Sequence, residues 1–181
     1  YGDATARYGA WHSAPGKELF KTVNETFNDA KIIAEDLGFI TPDVRELLEF
    51  TGYPGMKILQ FAFYDEDAEF LPRMYKTSNC VVYTGSHDAD CTYTWIKNIE
   101  GDAKKRFKKE CLDKTTYKGV YAMIYLALSS TANLSIIPIQ DYLCLTNEEG
   151  RMNTPSTESG NWTYRLSNRY NTNSLKEKIK T

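Results

Sequence analysis

Short apolar, β-leaning runs alternate along this chain with stretches of helical periodicity, and no other feature narrows its possible folds as far. The runs are Ile32-Ile33-Ala34, residues 56–63, Val81-Val82-Tyr83 and Leu134-Ser135-Ile136-Ile137. They are largely apolar, which suits strands covered on both faces, as in a parallel sheet. After Pro15-Gly16, the residues Leu19, Phe20, Val23 and Phe27 share one helical face. Thr41-Pro42-Asp43 then supplies an N-cap, a proline at the first helical position and an acid in the first turn. That helix carries Val44, Leu47 and Leu48 and stops at Gly52. A charged helix is predicted over residues 102–112 and a mostly apolar one over 118–132. Strand alternating with helix means βαβ units and a parallel α/β sheet.

Strand starts near residues 32, 57, 81 and 134 leave room for four such units, half the number in a closed (β/α)8 barrel. An open doubly wound sheet fits the same spacing, but that fold usually brings a Gly-rich phosphate loop after its first strand, and none is present. With 181 residues, 41% of them hydrophobic and 25% charged, the chain can build one good core but not two comfortable domains.

Composition removes several classes of function. Twenty-two Lys and Arg against 24 Asp and Glu leave a formal charge of −2, which argues against nucleic-acid or anionic-membrane partners. The longest apolar stretch, residues 120–128, falls well short of the roughly 20 residues a bilayer requires. Cys80, Cys91, Cys111 and Cys144 form no CxxC and pair with no histidine, so zinc is not expected and reduced thiols in a cytoplasmic setting are. Three Asn-x-Ser/Thr triplets, at Asn24, Asn133 and Asn161, are read as chance matches in a chain rich in Asn and Thr. Aromatic residues reach 13%, with thirteen Tyr and three Trp, enough to fill a core and also to offer flat rings to a ligand.

Each apolar run ends in acid. The first gives Glu35-Asp36, the second Tyr64-Asp65, the third Ser86-His87-Asp88 and the fourth Gln140-Asp141. In a parallel barrel all strand C-termini open on one face, so these carboxylates would converge on one rim. Each has a structural reading as well: Glu35-Asp36 can open a loop, Asp65 belongs to a solvated run with Glu66 and Asp67, and Asp141 can be a cap. Together they would repel one another unless cationic or hydroxyl-rich groups lie among them. His87, one of two histidines, is equally open to a structural hydrogen-bonding role. No GxSxG elbow makes a nucleophilic triad with it, and His12 is too isolated to complete a metal site. Paired carboxylates without phosphate loop, metal ligands or nucleophilic Ser or Cys point to glycosidic chemistry.

Several motifs carry a specific likeness: Ile32-Ile33-Ala34-Glu35-Asp36-Leu37-Gly38, Pro54-Gly55-Met56-Lys57 with Leu59-Gln60-Phe61-Ala62-Phe63, and Tyr83-Thr84-Gly85-Ser86-His87-Asp88. Ile137-Pro138-Ile139-Gln140-Asp141 and Arg151-Met152-Asn153-Thr154-Pro155 with Gly160-Asn161-Trp162 follow in order. Together they resemble the 4-α-glucanotransferases, the amylomaltases or disproportionating enzymes of glycoside hydrolase family 77. The resemblance implies a TIM (β/α)8 barrel, with residues 1–181 as the C-terminal part of a single catalytic domain and the runs as strands 5 to 8, a parallel half-barrel. It implies retaining transfer of α-1,4-glucan segments to an acceptor glucan or glucose, with malto-oligosaccharides as partners and no cofactor or metal. Glu35 resembles the general acid/base and Asp88 the acid that stabilises the transition state. His87 resembles a donor to the same sugar ring, and Asp36, Phe61, Asp65 and Asn153 resemble further substrate contacts. Residues 151–162 resemble a rim of the glucan cleft. The family also implies a cytoplasmic location, or a plastid in a plant.

Two departures qualify the likeness. In Ser86-His87-Asp88-Ala89-Asp90, Ser and Ala stand where the family usually has Thr and Asn, which bears on how the loop holds Asp88. The family's nucleophilic Asp belongs to an Arg-Ile-Asp-His-Phe-type motif, and the chain contains none. Tyr1-Gly2-Asp3 resembles the segment just downstream of it, so the chain is expected to begin after its nucleophile. It is then expected to be inactive alone and to expose two strand edges that favour dimerisation, aggregation or rescue by the missing N-terminal half. An α-glucan hydrolase and a non-catalytic carbohydrate-binding half-barrel remain the alternatives.

Overall fold

The computed structural model describes residues 8–10 and 12–180; Tyr1-Gly2-Asp3, on which the expected starting point rests, lies outside the described residues. The chain divides into two compact units, Tyr1–Tyr53 and Pro54–Thr181.

The first unit is a helix pair, α1 (Gly16–Thr26) and α2 (Pro42–Thr51). Thr41 enters α2 in extended geometry with Pro42 behind it, and the Thr41 side chain and nearby backbone donors hold the Asp43 carboxyl below the usual carboxylate range. Gly52 ends the helix in the left-handed region at φ 69°, its N–H donating to the Leu48 and Glu49 carbonyls. Phe20 of α1 meets Tyr53, just after α2, edge-on with ring centroids 5.8 Å apart. At Gly16 the two helices approach closely: a Cβ there would lie 2.7 Å from Leu47 Cδ2. The run Ile32-Ile33-Ala34 was expected to be a strand and is not. It lies in the irregular segment between α1 and α2, with Ile33 exposed, and among the described residues this unit offers no other strand to pair with it.

The second unit is built on a three-stranded parallel sheet in the order β1 (Gly55–Ile58), β2 (Cys80–Tyr83), β3 (Leu134–Ile136). Gly55 pairs with Cys80, and Val81 with Leu134. Central β2 is buried, as its Cys-Val-Val sequence requires. On the β3 edge Leu134 and Ile136 remain 47% and 37% exposed. The predicted strand over 56–63 is correct only to Ile58. Residues Leu59–Phe63 form a 3-10 helix instead, because Leu59, Ala62 and Phe63 turn into the core at helical spacing while Phe61 turns out. Arg106 fixes the end of that turn, donating from Nε to the Phe63 carbonyl at 2.8 Å and from Nη2 to that of Tyr64 at 2.7 Å.

Only 3-10 turns separate β1 from β2; after β2 come α3 (Thr92–Asn98), α4 (Gly101–Glu110) and α5 (Val120–Leu128), and after β3 the short α6 (Ile139–Tyr142) and α7 (Asn147–Gly150) and finally α8 (Asn173–Lys180). The charged helix falls where expected, one residue early. The apolar one is shorter than 118–132: Gly119 precedes it at φ 55° and Ser129 caps it. The core joins sheet and helices through Phe63, Trp95 and Phe107, with Phe107 edge-on to both other rings at centroid distances of 5.2 and 5.6 Å. Phe107→Ala is therefore expected to cost about 3–5 kcal/mol in urea unfolding.

All four cysteines are free. Burial pushes the Cys91 thiol up to about 11 and that of Cys111 up to about 12. At pH 8 both should stay unreactive toward an aromatic disulfide reagent while the chain is folded, whereas all four thiols react in denaturant.

Candidate functional site

The site is assembled on the loop of residues 84–92, between the end of β2 and the start of α3. Parallel pairing sends the C-termini of β1, β2 and β3 to one end of the sheet, so the segments after all three strands meet around this loop.

Asp88 lies near the loop's tip, about half exposed. Asn153 Nδ2 donates to its Oδ1 at 2.6 Å, and His87 Nε2 lies 3.3 Å from its Oδ2. The Asn153 N–H donates to the His87 carbonyl at 3.2 Å, so the segment after α7 runs along the loop. His87 stands beside Trp162, ring centroids 5.0 Å apart at 39°, and the indole is 54% exposed. Carboxylate, imidazole and open indole face thus form one cluster, suited to accept hydroxyls and to cover an apolar ring face.

Below the tip, Asp90 is a junction. Its Oδ1 accepts from Arg151 Nη1 and from Asn147 Nδ2, the latter at 2.8 Å, while Arg151 Nη2 reaches the Asp88 carbonyl at 3.4 Å. Gln60, buried in the turn after β1, donates to the Asp90 carbonyl at 2.9 Å and to Thr92 Oγ1 at 3.3 Å. The rim segment is braced by Asn161, which accepts from the Thr154 N–H at 2.8 Å and donates to Thr157 Oγ1 at 3.0 Å. Beneath the loop an open cleft of about 150 Å³ is lined by Ser86, His87, Cys91, Pro138, Asp141 and Met152 among others.

Asp141 does not lie on an open rim, as a strand-end acid was expected to. It is 2% exposed and accepts from the Thr84 and Thr92 hydroxyls, the latter at 2.9 Å, and from the Thr92 N–H at 3.3 Å. Burial raises its pKa above the usual carboxylate value against the opposing pull of those bonds, and its charge adds to burial in raising Cys91.

The other expected residues are distributed as follows. Phe61 belongs to the same unit, 42% exposed, edge-on to Phe70 at 5.5 Å. Asp65 lies in an exposed turn after it, its Oδ1 3.5 Å from the Asp67 N–H. Glu35, exposed, and Asp36, half-buried, belong to the first unit. Sequence reading passed over the holding roles of Gln60, Thr84, Asp90, Thr92 and Asn147. The available signal was polar side chains placed next to apolar strand ends, where burial demands partners.

Gly85 shows how tightly the loop is fitted: a Cβ there would lie 2.4 Å from Gln60 Nε2. Because that amide is buried and doubly bonded, it cannot swing away without losing both acceptors. Gly85→Ala should destabilise the chain by about 1–3 kcal/mol in urea unfolding.

The chain is similar to known proteins in sequence and in fold. The family model described as 4-alpha-glucanotransferase matches residues 1–171. A 4-alpha-glucanotransferase of Streptococcus pneumoniae is 43% identical over 166 residues, 91% of this chain and 33% of that protein. A chloroplastic/amyloplastic 4-alpha-glucanotransferase of Arabidopsis thaliana is 43% identical over 162 residues, 89% of this chain and 28% of its own length. The solved amylomaltase of Streptococcus agalactiae in complex with acarbose superposes with a TM-score of 0.88 at 33% identity, covering 98% of this chain and 36% of that one. The chain spans about a third of the length of the curated relatives it matches. On these matches it belongs to the 4-alpha-glucanotransferase family.

Proposed function

We propose that this chain is part of the catalytic domain of an enzyme that cuts α-1,4-glucans and passes the freed segment to a hydroxyl of an acceptor glucan or glucose, in starch, glycogen or maltodextrin metabolism. The observation that carries the reading is the Asp88 carboxylate, held by Asn153 and flanked by His87 and the open face of Trp162, in a chain of this family. With Oδ1 anchored by one amide donor, Asp88 keeps acceptor capacity for sugar hydroxyls. Those bonds strengthen as the sugar flattens toward an oxocarbenium-like state. Glu35 protonates the departing glucan oxygen and later takes the proton of the acceptor hydroxyl, the two halves of a retaining exchange. His87 donates to the same sugar, and Asp36, Phe61, Asp65 and Asn153 contact the remaining units, Phe61 by its exposed ring. The chemistry draws on carboxylates alone and calls for no metal or cofactor.

In this reading residues 1–181 are the C-terminal part of one (β/α)8 domain, with Ile32-Ile33-Ala34, β1, β2 and β3 in the positions of strands 5 to 8. The nucleophile comes from an N-terminal half, since no Arg-Ile-Asp-His-Phe-type motif occurs in these residues. Acid/base and stabiliser alone form no glycosyl-enzyme, so the chain binds glucan without turning it over. The enzyme works in the cytoplasm, or in the plastid of a plant.

The test is to incubate the chain with maltotriose and separate the products by length. The chain alone should leave maltotriose intact. Replacing the corresponding third of the S. pneumoniae relative with it should restore a ladder of longer and shorter glucans. Within that chimera Glu35→Gln or Asp88→Asn should each lower transfer by about a thousandfold or more. Glucose without a ladder would mean a hydrolase, and a ladder from the chain alone would overturn the missing-nucleophile reading.

A further inference from the structure

Three donors converge on the Asp141 carboxylate: the Thr84 hydroxyl, the Thr92 hydroxyl and the Thr92 N–H. Thr84 follows the last residue of β2 and Thr92 is the first residue of α3, so these bonds grip the 84–92 loop at both ends. Thr92 Oγ1 in turn accepts from Gln60 Nε2, which commits its lone pair to the turn after β1 and its proton to Asp141. Asp141 itself stands in α6, just after β3. One relay, Gln60 to Thr92 to Asp141, therefore ties together the segments that leave all three strands.

The chemistry of the donors explains why an acid is here. An amide in its place has one acceptor oxygen and a pair of N–H groups of its own. It cannot take three donors while the hydroxyl of Thr92 already serves Gln60. A carboxylate can, at the cost of removing a charge from water without a directly bonded cation. Satisfied networks of this kind define a single arrangement.

We propose that Asp141 is a positioning residue: by gripping both ends of the 84–92 loop it fixes where Asp88 and His87 stand for glucan binding. The role in binding rests on the reading of Asp88 as a glucan-contacting acid; the effect on the loop does not. Asp141 needs no contact with substrate, because its two oxygens are already engaged within the protein.

The loop's position has its own spectroscopic signature, since the His87 ring lies within the ring current of Trp162. Only two histidines occur in the chain, and loss of one signal set in His87→Gln assigns the other to His12. The 181-residue chain is compared with Asp141→Asn, Thr84→Val and Thr84→Ser by proton NMR, maltotriose calorimetry and thermal melting. Asp141→Asn and Thr84→Val should move the His87 ring signals toward their unfolded-peptide positions and weaken maltotriose binding about tenfold or more. Thr84→Ser, which keeps the hydroxyl, should restore both. A variant that melts earlier yet keeps the His87 signals and maltotriose affinity overturns the proposal, because the bonds would then serve stability alone. Should Asp141→Asn fail to fold, Thr84→Val, nearly isosteric and lacking one donor, decides the question. If the parent chain binds no maltotriose while its His87 signals respond to Asp141→Asn, the glucan reading fails and the grip on the loop stands.

Discussion

Parallel pairing on both sides of β2 is the constraint from which the site follows. An antiparallel neighbour would send its C-terminus to the opposite end of the sheet. With β1 and β3 both parallel to β2, the turn at Leu59–Phe63, the 84–92 loop and α6 emerge together. Gln60, Thr92 and Asp141 are 32 and 49 residues apart along the chain, yet form one hydrogen-bonded relay because of that geometry. Parallel strands must also be covered on both faces, and the Phe63–Trp95–Phe107 cluster supplies part of that cover beside the same turn.

The site divides into a dry base and a wet tip. At the base, Asp141, Thr84, Thr92 and Gln60 are all buried and satisfied by one another, where low dielectric makes each lost bond costly. At the tip, Asp88, His87 and Trp162 are open to solvent and keep unused hydrogen-bonding capacity and ring surface. Asp90 joins the two levels, since Arg151 and Asn147 hold its carboxylate while Arg151 also reaches the Asp88 carbonyl. Order at the base is what allows the tip to be both exposed and defined.

The helices α2 and α4, two of the strands and the burial of β2 are legible in the sequence because each rests on a local rule. Pro42 and Gly52 punctuate α2, and the Cys-Val-Val run of β2 tolerates only burial. Residues 59–63 continue the apolar run of β1, so composition alone does not separate this turn from a longer strand. The helical spacing of Leu59, Ala62 and Phe63 decides only once Arg106, 43 residues from Phe63, donates to the freed carbonyls of Phe63 and Tyr64. Ile32-Ile33-Ala34 has the composition of a strand, but composition does not supply a ladder partner. Motif likeness singles out Asp88, His87 and Asn153, which the fold brings into contact, whereas the holding of Asp90 and Asp141 depends on side chains brought together over long separations.

The same division leaves the side chains of Ser86 and Ala89 free of any part in holding the loop. Neither position contributes a side-chain bond to the loop's anchorage: the ends are gripped at Thr84 and Thr92, and the middle at Asp90. Between those anchors the turn closes through backbone alone, the Ala89 N–H donating to the Ser86 carbonyl at 3.2 Å. Asn153 then reaches Asp88 from outside the loop, through a segment anchored by Arg151 and Asn161. A change of side chain at 86 or 89 alters the lining of the cleft, where both residues lie, without releasing any bond that sets the carboxylate. Variation there bears on what the cleft admits, while the place of Asp88 is set by residues that the variation does not touch.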